Sequence, residues 1–120
     1  MTADLSNGKA HVESPADAIY RMAGELDGVG RRSAGKAIEY DRGGVGFAAS
    51  EAGRLSFRLR PEIVAAALRT PGTESSARGG EWVVLVSEAG DEFTLDRATA
   101  WFETAWRLAG ESPDGAARPN

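Results

Sequence analysis

The stretch Gly35-Lys36-Ala37-Ile38-Glu39-Tyr40-Asp41-Arg42-Gly43-Gly44-Val45-Gly46-Phe47-Ala48-Ala49, followed by Ser50-Glu51-Ala52-Gly53-Arg54-Leu55-Ser56-Phe57-Arg58-Leu59-Arg60, sets the fold class. Its apolar period is two: Ile38 and Tyr40 share one side, Val45, Phe47 and Ala49 alternate after a turn at Asp41–Gly44, and Leu55, Phe57 and Leu59 alternate after a second turn at Ser50–Gly53. Such alternation predicts three antiparallel strands with one dry and one wet face. Arg54, Arg58 and Arg60 fall on the wet side of the third strand, and Arg31 and Arg32 are expected in a loop before the sheet.

On the N-terminal side the period changes to that of a helix. Ser14 is placed to cap it, Pro15 fits the first helical position, and Asp17 favours the positive end of the helix dipole. Ile19, Met22, Ala23 and Leu26 recur at helical spacing, and Gly28 is placed to end the helix. On the C-terminal side Pro61 opens a second helix with Ile63, Val64, Ala67 and Leu68 on its buried side, stopped by Thr70-Pro71-Gly72. Residues 71–80 read as a loop, and Trp82-Val83-Val84-Leu85-Val86 as a strand near the middle of the sheet. After a turn at Glu88–Asp91, residues 92–95 read as a short extended piece before Asp96 caps a last helix with the stripe Ala98, Trp101, Phe102, Ala105, Leu108 and Ala109, ended by Gly110 and Pro113.

The expected architecture is therefore α+β, an antiparallel sheet of about five strands with helices on one face, in the order α-β-β-β-α-β-β-α. Residues 14–110 form one domain, flanked by tails at 1–13 and 111–120 that lack apolar periodicity. At 120 residues, 42% hydrophobic and 27% charged, the chain suits one packed core.

The absence of cysteine excludes a disulfide framework, a thiol nucleophile and a thiolate-held metal. His11 is the single histidine and lies in the expected N-terminal tail, where a catalytic triad or a histidine-based metal site is hard to build. The pair Asp91 and Glu92, with Asp96, has a sufficient cause in a turn and a helix cap. Gly43, Gly44 and Gly46 lie between two strands, with no helix N-terminus following to cradle a phosphate. These readings point to a non-catalytic domain with no cofactor and no metal.

The net charge of −4 hides an uneven distribution. Residues 31–69 carry eight basic and four acidic side chains, whereas the segments on either side are acidic. Arg31, Arg32, Arg54, Arg58 and Arg60 are the candidate nucleic-acid-binding residues, because a guanidinium offers a planar fork to phosphate. The competing explanation is a solvated sheet face whose arginines pair with carboxylates such as Glu39. Trp82, Trp101 and Trp106 are expected to pack in the core, with Trp106 at the edge of its helix stripe. No segment has the apolar length of a membrane span or the pattern of a signal peptide, so the expectation is a soluble, cytoplasmic protein.

Between Ala18 and Gly110 the chain resembles the small bacterial YjbR/MmcQ family. The resemblance is carried by Gly28-Val29 after the first helix, Gly44-Val45-Gly46-Phe47-Ala48, the arginine-bearing run Leu55–Arg60 into Pro61-Glu62, the Trp82-Val83-Val84 strand and Ala105-Trp106-Arg107-Leu108-Ala109. Two positions depart from the family pattern: Gly46 stands where members commonly have lysine, and Arg78-Gly79-Gly80-Glu81 replaces a more basic or histidine-bearing approach to the late tryptophan. A small bacterial family labelled luciferase-like has a similar order of elements. The YjbR/MmcQ resemblance implies a fold similar to that of secretion chaperones. It also implies one of two roles, DNA binding through the arginine-rich face or contact with a protein partner, including a second copy in a chaperone-like homodimer.

Overall fold

The computed structural model describes residues 13–86 and 92–111. His11, the turn at Glu88–Asp91 and nearly all of both expected tails lie outside them.

The first helix, α1 (Pro15–Glu25), starts where the capping chemistry dictates: the Ser14 side chain accepts from the Asp17 amide at 3.0 Å, and Pro15 occupies the first turn. The helix stops at Glu25. Gly28, at φ +75°, turns the chain into the first strand.

Four strands follow as consecutive antiparallel neighbours: β1 (Val29–Ala34), β2 (Ala37–Arg42), β3 (Val45–Glu51) and β4 (Arg54–Arg58). The β2–β3 hairpin closes on Gly43 and Gly44 alone, both at positive φ as a two-residue type I′ loop requires, so Asp41 and Arg42 belong to the strand. Then come α2 (Pro61–Ala67), β5 (Thr73–Ser75), β6 (Trp82–Val86) and α3 (Glu92–Glu111). The sheet order is β1-β2-β3-β4-β6-β5.

The α+β class and the antiparallel sheet agree with the sequence reading. Its details are corrected in four places. Among the described residues the sheet has six strands, where about five were expected, and the order is α-β-β-β-β-α-β-β-α. Arg31 and Arg32 lie in the edge strand β1, outside any loop; an edge strand exposed on both sides shows little alternation to read. The 71–80 region contains β5, which pairs outside β6 and moves the Trp82 strand from the middle to the second position from the edge. Residues 92–95 are helical, because the buried stripe Thr94, Ala98, Phe102, Ala105 and Ala109 keeps helical spacing back to Thr94; Asp96 is an exposed residue inside α3. The same helix carries Gly110 and Glu111.

One hydrophobic core lies between the sheet and the helices. Leu55 pairs with Leu85 and Phe57 with Val83, so these four share the helix-covered face, where they meet Ile19, Val64, Ala98 and Phe102. The β2–β3 register slips by one residue: Tyr40 pairs with Ala48 and Asp41 with Gly46, which leaves Phe47 as the extra residue of a bulge. The slip buries both Phe47 and Ala48 in the core. Phe102 meets the rings of Tyr40 and Phe47 edge-on, each at a centroid distance of 5.1 Å.

Candidate functional site

With the helices on one face, the other face of the sheet displays the outward residues of every strand. Register fixes a row across it: Arg32 opposite Glu39, Glu39 opposite Ala49, Ala49 opposite Ser56, Ser56 opposite Val84, and Val84 opposite Glu74. Charged side chains stand at the two ends of the row and small ones in the middle. Arg54 and Arg58 flank Ser56 along β4 and share its outward face.

The arginines of this face are paired within the chain. Arg32 donates to Glu39 at 2.6 Å, Arg54 to Glu74 at 2.5 Å and Arg58 to Glu81 at 3.1 Å. Arg78 lies 3.6 Å from the second oxygen of Glu39. The Arg32 hydrogen bond holds the Glu39 carboxyl below the usual glutamate range against the opposing effect of its partial burial, and the charge of Arg78 adds to the lowering.

Of the five arginines proposed from sequence, three therefore share the helix-free face: Arg32, Arg54 and Arg58. Arg31 turns the other way, because successive strand residues alternate; its guanidinium lies 4.1 Å from the Tyr20 ring and donates to the Tyr20 carbonyl. Arg60 has left the sheet. β4 ends at Arg58, Pro61 starts α2, and Arg60 is the residue before that helix, paired with Glu111 at the end of α3. The five do not form one surface.

The residues 76–81 between β5 and β6 cross this face as a strap. The Arg78 amide donates to Ser76 Oγ, the Trp82 amide donates to the Gly79 carbonyl, and Gly79 takes φ +136°. Arg78 leans over the Trp82 ring, 5.0 Å from its centre, and reaches Glu39 on β2, on the far side of β4 and β3. Ala37, Ala49 and Val84 are consequently buried on a face that none of the described helices covers. Between the strap and the sheet is a cavity of about 230 Å³, floored by those three residues and Ser56 and rimmed by Glu51, Arg54, Ser75 and Ser76, with Arg78 above.

The sequence reading missed Arg78, Glu74 and the cavity. The signal was present in the run of small outward residues at Ala37, Ala49 and Ser56, but only the register shows that they are neighbours. The tryptophans also divide differently from the expectation. Trp101 packs edge-on against Phe57 in the core, whereas Trp82, opposite Arg58, faces away from it. Trp106 is held at the edge, its indole N–H donating to the Asp27 carbonyl at 2.9 Å.

Among the described residues no three His, Cys, Asp or Glu side chains converge as metal ligands would, and no helix is long and apolar enough to cross a membrane. No family model, curated protein or solved structure matches the chain.

Proposed function

We propose that this chain is a non-catalytic binding module that engages a protein surface of mixed charge through the helix-free face of its sheet. The observation that carries the reading is the pairing of Arg32, Arg54, Arg58 and Arg78 with Glu39, Glu74 and Glu81. Affinity for a phosphate backbone comes from uncompensated cations that release condensed counterions. Here a phosphate would meet a carboxylate beside every one of these guanidiniums, within a chain whose net charge is −4. A protein surface bearing both signs can instead exchange partners pair for pair.

A face carrying both signs is also self-complementary, as a two-fold contact between identical patches requires. The first partner to test is therefore a second copy of the chain. The sequence resemblance to the YjbR/MmcQ family, which implies a fold similar to that of secretion chaperones, supports the same direction.

Two measurements on the full chain test the reading. Sedimentation velocity over a wide concentration range is expected to show association that weakens in an Arg54→Glu, Arg58→Glu variant. Fluorescence anisotropy of a labelled DNA duplex at low and moderate salt is expected to show no saturable binding. Salt-sensitive DNA affinity that disappears in an Arg54→Ala, Arg58→Ala variant would overturn the proposal in favour of nucleic acid.

A further inference from the structure

The cavity beneath the strap is chemically specific. We infer that it binds a small zwitterion, a molecule of amino-acid size that carries one carboxylate and one ammonium group.

Its floor is small and largely apolar because Ala37, Ala49 and Val84 present little more than methyl groups to either side of Ser56. The walls are polar. Arg54 uses one N–H on Glu74, and the Arg78 guanidinium reaches Glu39 through Nη2 alone, at 3.6 Å, so both forks keep donors for a carboxylate. Ser56 and Ser75 have hydroxyls with no hydrogen-bond partner among the described residues. Glu51 sits directly opposite Arg54 on the neighbouring strand, yet Arg54 reaches the other way to Glu74. Glu51 is thereby a carboxylate at the rim with no ion-pair partner among the described residues.

This combination selects the sign of the ligand. A simple anion would meet the Glu51 carboxylate with no positive charge of its own to answer it. A simple cation would meet Arg54 and Arg78. A molecule with both charges answers both ends of the cavity, its carboxylate toward the arginines and its ammonium toward Glu51, with its carbon atoms over the alanines. The size agrees: 230 Å³, at roughly 30 Å³ for each water-sized group, holds about seven or eight non-hydrogen atoms. That is below the volume of sites built for larger ligands.

The inference rests on the helix-free face being the working surface, but its test is separate from association and from DNA binding. The full-length ¹⁵N-labelled chain is titrated with L-alanine and L-threonine, and in parallel with propionate, ethylammonium and inorganic phosphate. The two amino acids are expected to give saturable amide shifts at Ala49, Ser56 and Ser75–Arg78, and the other three probes none. Glu51→Gln and Arg78→Ala, both changes of solvent-facing side chains, are each expected to weaken binding at least tenfold. Ala49→Leu, which fills the floor, should abolish it. Absence of saturable shifts with either amino acid overturns the inference, and so does propionate or phosphate binding as well as alanine with no effect of Glu51→Gln.

Discussion

The guanidinium of Arg42 lies 4.0 Å from the centre of the Trp106 ring and donates from Nη1 to the carbonyl oxygen of the same residue at 3.0 Å. One side chain of β2 is thus fastened to both the ring and the backbone of α3, while the Trp106 indole N–H ties that helix to Asp27 in the turn after α1. Gly110 makes the arrangement possible, since a Cβ there would fall on the Arg42 guanidinium.

This relationship predicts a sign reversal. Arg42→Ala removes a cation–π contact and a charged hydrogen bond and should cost about 1–3 kcal/mol in urea unfolding. Gly110→Ala replaces a glycine in the last turn of α3, which by itself is worth under about 1 kcal/mol. In the Arg42→Ala background that gain should appear. In the wild type it should vanish or reverse, because the new methyl displaces Arg42. Additive free energies for the two substitutions would show that Arg42 and Gly110 do not share this space.

The Arg42 contact also illustrates what was and was not legible in the sequence. Alternation along 37–59 located three strands and the inward side of β2 and β4, because burial on one face leaves a period-two mark; in β3 the bulge at Phe47 breaks the expected Val45-Phe47-Ala49 face, turning Ala48 into the core and Ala49 outward. The edge strand β1 escaped: Arg31-Arg32-Ser33-Ala34 is exposed on both sides, so no period is imposed on it. β5 escaped because three residues, Thr73 to Ser75, cannot display one. The outward direction of Arg54 and Arg58 could be read from their neighbours Leu55 and Phe57. Their partners Glu74 and Glu81 could not, since they arrive through strand pairing and a loop some twenty residues away. Arg60 continued the alternation in sequence but not in space, because Pro61 begins a helix at the point where the strand pattern still appears intact.

Acid should weaken the protein partly through Glu39. Its folded-state value is held below the unfolded one, chiefly by the hydrogen bond from Arg32. Above the ordinary glutamate value of about 4.3 both states are ionised and the contribution is complete. As pH falls, the unfolded chain takes up the proton first, so stability declines until the folded carboxyl is protonated as well. Glu39→Gln should be less stable than wild type near neutrality by under about 1 kcal/mol, as befits a largely solvated pair. The difference should shrink on titration toward pH 3, measured by urea midpoints at each pH. A constant offset across that range would assign the effect to packing and not to ionisation.

If pairing within the chain is what makes the helix-free face unattractive to phosphate, removing the carboxylates should reverse it. The variant Glu39→Gln, Glu74→Gln, Glu81→Gln frees Arg32, Arg54, Arg58 and Arg78 without touching the core. It is expected to acquire affinity for duplex DNA. With three phosphates contacted, that affinity should fall roughly 40-fold for a fourfold rise in salt. Continued indifference to DNA would mean that the curvature of the face or the strap, and not charge pairing, excludes the duplex.

Tyr40 gives the opposite pH dependence, and a gain in stability on substitution. The side chain is fully buried between Phe102 and the sheet, and its hydroxyl has no hydrogen-bond partner among the described residues. Burial pushes its pKa up to about 12, with the nearby Arg31 charge opposing. The folded chain therefore keeps the phenol proton after the unfolded chain, near 10, has begun to lose it. Between those values the folded state binds more protons than the unfolded one, so stability falls as pH rises from 10 toward 12. Tyr40→Phe retains the edge-on ring contact with Phe102 and removes a polar group whose desolvation nothing offsets. It should raise stability at pH 7 by about 1 kcal/mol in urea unfolding. The alkaline decline between pH 10 and 12 should become shallower in the same variant. Destabilisation by Tyr40→Phe at neutral pH would show that the hydroxyl is satisfied in solution, and that the phenol contributes through a hydrogen bond and not through its ring alone.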